Sequence, residues 1–200
     1  MNLKGYLGTL GLFGLVLCGT PFLLAKDISI QLANDTPAEQ EAKAQLERLL
    51  AEYNTSRYTF TRKVLIEQGA IPHSHPVLTL NVRHLRDDDR ALSTYLHEQI
   101  HWFLTGRPPQ TRAAIQDLER MYPNPPVGGK EGSHDLQSDY VHLLVCELER
   151  EADLKFLGPE RTAAVMQFWT TDHYTWIYST VLADHDKIEA VIQRHNLEIN

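Results

Sequence analysis

The sequence predicts an α+β fold: a small antiparallel or mixed sheet from the N-terminal third, packed on a central helix, with a mostly helical C-terminal half. Three observations predict it. Short alternating or β-branched stretches occur before residue 83. From Asp88 onward apolar residues recur at helical spacing. Pro and Gly then mark the breaks between the helical stretches.

Asp27 to Ala33 alternates apolar and polar residues (Ile28, Ile30, Leu32) and reads as the first strand. Thr36-Pro37 has the form of an N-cap followed by proline at the first helical position, opening a helix to about Tyr53. Tyr58 to Ile66 reads as a second strand, Gly69 to Pro76 as a turn, and Val77 to Val82 as a third strand. Asp87-Asp88-Asp89 supplies capping and first-turn carboxylates for a helix from about Asp88 to Thr105, stopped by Gly106 and Pro108-Pro109. Leu92, Leu96, Ile100 and Phe103 mark its core face. A shorter helix follows over about Arg112–Met121, then a Pro- and Gly-rich loop from Tyr122 to Gly132. A long helix spans about Asp135 to Leu157, and two more cover about Pro159–Trp169 and Thr180–His195. Asp184-His185-Asp186 is expected to cap or start the last of these.

Two hundred residues suit one domain with a real core, and 42% apolar with 22% charged residues is ordinary for a globular protein. A net charge of −7 offers no broad basic surface, so nucleic acid is not an expected partner. Residues 1–25 stand apart. Lys4 precedes an almost wholly apolar or small run from Gly5 to Leu24, and Ala25 ends it. This pattern predicts a cleaved signal peptide, a mature domain over 26–200 without stable membrane insertion, and a periplasmic or secreted location in a bacterial envelope. An uncleaved anchor, or a lipoprotein signal at Cys18, are the competing readings of the same run. Cys146 is the one cysteine left in the mature chain, which therefore has no internal disulfide.

His97-Glu98-Gln99-Ile100-His101 is an H-E-x-x-H pentad inside the Asp88–Thr105 helix. Positions i and i+4 share a helix face, so two imidazoles there can grip one metal ion. Glu98 lies about 100° further round, where its carboxylate reaches a water on the metal rather than the metal. A catalytic zinc site takes three protein ligands and leaves one position open. The best source of the third is the long helix, where His142, Cys146, Glu149 and Asp153 fall in a narrow arc. Glu147 and Glu151 lie about 200° from Glu149 and read as a solvated face, with Glu151 paired to Lys155. Glu149 is the preferred third ligand and His142 the alternative; Cys146 reads as a small buried hydrophobe.

These residues resemble the gluzincin metallopeptidases, in which H-E-x-x-H is followed by E-x-E-A-D; here that segment is Glu149-Arg150-Glu151-Ala152-Asp153. The likeness is to the branch of CaaX-type prenyl endopeptidases and compact soluble relatives, and it covers two helices. The resemblance implies a zincin-like fold and zinc held by His97, His101 and Glu149. It further implies Glu98 as general base and Asp153 supporting the metal site. It departs from the membrane members in having no hydrophobic span beyond the N-terminus. A donor for the oxyanion is expected from the aromatic run Asp172–Tyr178, first from Tyr174 or His173. His134 is a candidate for lining the cleft, whereas His73-Ser74-His75 reads as a surface loop.

The expected function is zinc-dependent hydrolysis of a peptide or protein substrate. Two alternatives stand beside it: a hydrolase of another amide such as cell-wall peptide, and an exported binding or assembly factor whose zinc site is structural or vestigial.

Overall fold

The computed structural model describes Met1 and residues 28–200; the expected signal peptide, Met1 aside, lies outside the described residues. The elements in order are β1 (Ser29–Leu32), α1 (Pro37–Glu52), a single 3-10 turn (Ser56–Tyr58), β2 (Lys63–Ile66) and β3 (Leu78–Leu80). Then come α2 (Asp88–Thr105), α3 (Pro108–Met121), α4 (Leu136–Leu157), α5 (Pro159–Asp172) and α6 (Thr175–Arg194). The architecture is α+β, and among the described residues no helix is long and apolar enough to cross a membrane.

The sheet corrects the expected strand directions. Its order is β1-β2-β3 and both pairs are parallel, with Ser29 opposite Lys63 and Val64 opposite Leu78. The connections explain this. The chain leaves β1 through α1 before returning as β2, and the β2–β3 connection is far longer than a hairpin turn. The second strand is also shorter than the Tyr58–Ile66 run suggested. Backbone N–H groups of Phe60 and Thr61 donate to the Gln99 side chain at 2.7 and 2.9 Å, and Gln99 Nε2 donates to the Thr61 carbonyl. A buried amide on α2 thus takes the hydrogen bonds a neighbouring strand would have made. β3 is an edge strand, but its outer edge is already taken. His73 and Thr79 exchange backbone hydrogen bonds of 3.0 and 2.8 Å. An extended peptide could therefore not pair with β3 through Thr79.

The helices follow the capping signals. Thr36 caps α1 and Glu39 returns the contact, a complete capping box. Asp87 caps α2 and Asp135 caps α4. α6 starts earlier than expected, at Thr175, and Asp184 sits at a kink inside it (φ −124°, ψ 21°) rather than at its start. Tyr122 there donates to the Asp184 carboxylate at 3.0 Å.

α4 is central. It packs on α2, α3, α5 and α6, and residues all round it are buried. That corrects the solvated-face reading of Glu147 and Glu151. Glu147 is fully buried and paired with Arg150, and Glu151 is half-buried. Lys155 sits over the Tyr58 ring, 5.1 Å from its centre, rather than pairing with Glu151. Glu147 meets Arg150 rather than water, because a helix packed against four others keeps little free surface.

Candidate metal centre

The middle of α2 and the N-terminal two-thirds of α4 face each other below a cavity of about 860 Å³. Its walls come from four places: Ile71–Ser74 after β2, Asn81–His84 before α2, Ser133–His142 at the start of α4, and the α5–α6 corner. His97, Glu98, His101, His142, Glu149, His173 and Tyr174 all line it. His134 does so too, and so do His73 and Ser74, which the sequence had left on the surface. His75 instead stacks on Trp102, with ring centres 4.1 Å apart.

The donor atoms form two groups that share one histidine. Ligand atoms of His97, His101 and His142 lie within 4.8 Å of one another, and so do those of His97, Cys146 and Glu149. In the first group the Nε2 atoms of His97 and His101 are 3.3 Å apart. Two nitrogens on a tetrahedral zinc with bonds of 2.0–2.1 Å would be about 3.3–3.4 Å apart. His97 Nδ1 bonds Glu149 Oε2 at 2.8 Å, and His142 Nδ1 bonds the Ser138 carbonyl at 2.7 Å. Those two rings are thus turned by a partner, as outer-shell groups turn metal-bound histidines.

Glu149 is bonded by side chains of α2 and α6. Its Oε2 is shared by His97 Nδ1 and the Tyr178 hydroxyl, at 2.8 and 2.9 Å, and its Oε1 accepts from Ser93 Oγ at 2.5 Å. Glu149 does not fall in a common group with both pentad histidines, whereas His142 does. The resemblance implies that Asp153 supports the metal site. Asp153 is fully buried, and neither of its oxygens has a hydrogen-bond partner. The Ser93 hydroxyl beside it donates to Glu149 instead.

The electrostatics concentrate one positive charge. Burial works against protonating His97, yet Glu149 and Cys146 together more than offset it, and the His97 pKa ends well above the ordinary value. Burial and the charge on His97 push His101 well below that value and His142 down to about 3. Burial raises Glu98 to about 7 against the opposing pull of His97 and His73. Burial also raises Asp153 well above the carboxylate range, with Glu149 adding to the effect.

The α5–α6 corner brings His173 and Tyr174 to the same cavity. His173 Nδ1 bonds Asp172 Oδ2 at 2.8 Å, and Arg83 clamps the same carboxylate, with Nη1 at 2.8 Å. Tyr174 stands in the left-handed region (φ 49°, ψ 39°), a costly conformation for a bulky residue. Its ring centre lies 4.4 Å from that of His142. The next two backbone N–H groups, of Thr175 and Trp176, donate to the carbonyls of Lys130 and Glu131, so the 122–132 loop holds the corner in place.

Sequence reasoning missed Ser93, Arg83 and Trp169 as parts of this site, and placed Asp172 and Tyr178 in it only as members of the Asp172–Tyr178 run. Ser93 had a signal, since 93, 97 and 101 repeat at four-residue spacing on one face of α2. Arg83 and Trp169 had none, because folding alone brings them there. No protein-family model matches this chain, and neither a curated protein nor a solved structure matches it.

Proposed function

We propose that this chain is a zinc-dependent hydrolase of peptide or related amide bonds, acting in the bacterial envelope or outside the cell, on a compact zincin-like scaffold. Zinc would be held by His97, His101 and His142, with Glu149 orienting His97 rather than serving as third ligand. The observation that carries the reading is the convergence of those three imidazoles on one point at the floor of a cavity, with Glu98 beside them. Three neutral-donor ligands and an open cavity side suit a catalytic zinc more than a structural one.

Zinc at that point supplies a Lewis acid that acidifies water and polarises a carbonyl. Glu98 takes the proton of the attacking water and returns it to the departing amine; a carboxyl with a pKa of about 7 is suited to both steps near neutral pH. His173, turned by Asp172, and Tyr174 supply hydrogen-bond donors for the oxyanion that develops on the carbonyl. The outer edge of β3 is taken by His73, so an extended substrate would meet Ile71–Ser74 instead.

One observation favours a second reading. Cys146 is fully buried within ligand distance of His97 and Glu149. A metal drawn to that trio would be closed to substrate, as in an exported binding or assembly factor with a structural site. Cobalt substitution separates the two. A cobalt spectrum without a thiolate charge-transfer band, combined with one bound metal lost on His142→Ala, supports the hydrolase. A thiolate band, with the metal kept in His142→Ala and lost in Cys146→Ser, overturns it in favour of the closed site.

A further inference from the structure

Trp169 and Tyr178 come from α5 and α6, two helices that supply none of the proposed ligands. Trp169 Nε1 lies 3.3 Å from Ser93 Oγ, Ser93 Oγ lies 2.5 Å from Glu149 Oε1, and Tyr178 OH lies 2.9 Å from Glu149 Oε2. All four side chains are buried, and Ser93 and Glu149 stand on α2 and α4. Four helices therefore meet on one carboxylate.

The chemistry of the donors gives this chain a direction. An indole nitrogen can only donate, so Ser93 accepts from Trp169 and its single proton is left for Glu149. An ionised carboxylate can only accept, so the Tyr178 hydroxyl and His97 Nδ1 must both donate to Glu149. His97 then carries a proton on Nδ1, which leaves Nε2, 3.3 Å from His101 Nε2, as the atom whose lone pair would meet a metal once the ring is neutral. Removing one donor from a buried carboxylate weakens the rest, because each bond polarises the next and water is not there to replace it.

We infer that Trp169, Ser93 and Tyr178 are positioning residues that hold Glu149 as an acceptor and thereby fix the His97 tautomer that binds metal. The C-terminal helices thus set the metal affinity of a site whose ligands lie on α2 and α4. The inference rests on the zinc site proposed above, though not on the identity of the substrate.

The test is zinc affinity, measured by competition with a chromophoric chelator on the folded chain. The thermal midpoint of the metal-free chain is recorded beside it. Tyr178→Phe removes one hydroxyl and keeps the ring; its zinc affinity is expected to fall about 10- to 100-fold. Trp169→Phe is expected to weaken zinc in the parent chain but to add nothing in a Ser93→Ala background, since its effect runs through that hydroxyl. Tyr178→Phe is likewise expected to add nothing in a Glu149→Gln background. A loss of packing alone would lower the thermal midpoint and leave these couplings additive. Unchanged affinity in Tyr178→Phe, or additive effects in both double variants, overturns the inference even where wild type binds zinc and loses it on His142→Ala. Wild type that takes up no zinc overturns the proposed site and the inference with it.

Discussion

Glu39 and Glu149 are both buried glutamates, and they are held in opposite ways. At the corner of β1, α1 and β2, Glu39 accepts from the backbone N–H groups of Asn34, Thr36 and Gln68, at 2.9, 3.2 and 3.0 Å. The Gln68 bond does most to lower its pKa, to about 2, against the opposing effect of burial. Between α2, α4 and α6, Glu149 accepts from three side chains, those of Ser93, His97 and Tyr178. Backbone donors belong to a local chain path, so Glu39 staples the loops that set the sheet. Side-chain donors from separate helices exist only in the assembled fold, and one of them is an imidazole with a second nitrogen free for other work. Glu98 makes a third case, governed by burial and neighbouring charge and raised to about 7. Under the proposed function these three buried carboxylates would be structural, orienting and reactive in turn, according to the groups around each.

The sharpest way to break this division is Glu98→Gln. Turnover of a peptide substrate should fall about 10²- to 10⁴-fold while one zinc per chain remains. Near-normal hydrolysis in that variant would remove Glu98 from the reaction. Next in size is the contrast between two residues of α4. His142→Ala should lose stoichiometric zinc, whereas Glu149→Gln should keep it with about 10- to 100-fold weaker affinity. The reverse result would return Glu149 to the ligand set that the E-x-E-A-D resemblance implies.

Glu39 should behave as a stability residue alone. Its folded pKa lies below the ordinary value of 4.5, so its contribution is full above pH 4.5 and is lost as pH falls toward about 2. Glu39→Gln should therefore lower the thermal midpoint at pH 6 without altering zinc content, and the gap to wild type should close on acidification. A gap that widened in acid would contradict the assignment. Thr36→Ala, the other half of the capping box, should cost about 1 kcal/mol in chemical denaturation. The smallest effect is expected at a third grouping of possible donors, His185, Asp186 and Glu189. Asp186 is exposed and none of the three lines the cavity. Glu189→Gln should change stability by no more than about 0.5 kcal/mol and leave zinc stoichiometry intact.

Much of the helical half was legible. Asp87, Gly106 and Pro108 bracket α2, and Asp135 and Gly158-Pro159 bracket α4, because caps and breakers act within a turn of where they sit. The arc of His142, Cys146, Glu149 and Asp153 was legible for the same reason, since helical geometry is local. The sheet was harder to read. Short strands carry little periodic signal, and pairing direction depends on connections that pass through other elements. Gln99, hidden at an unspecified position of the pentad, took over the backbone of Phe60 and Thr61 and shortened the strand expected there.

The sequence alone determined the bounds of α1, α2 and α4, which residues share each face, and that two histidines and a glutamate stand together on α2. Those are consequences of a 3.6-residue repeat and of capping, and they need no partner. Tertiary structure decided which member of the α4 arc meets both histidines, that Glu147 is buried rather than wet, and that Trp169 and Tyr178 are linked to His97 through Ser93 and Glu149. A helix face offers several side chains at nearly the same angle. The one that meets the site is set by how far along and how tilted the neighbouring helix lies, and those two quantities arise only when the helices pack.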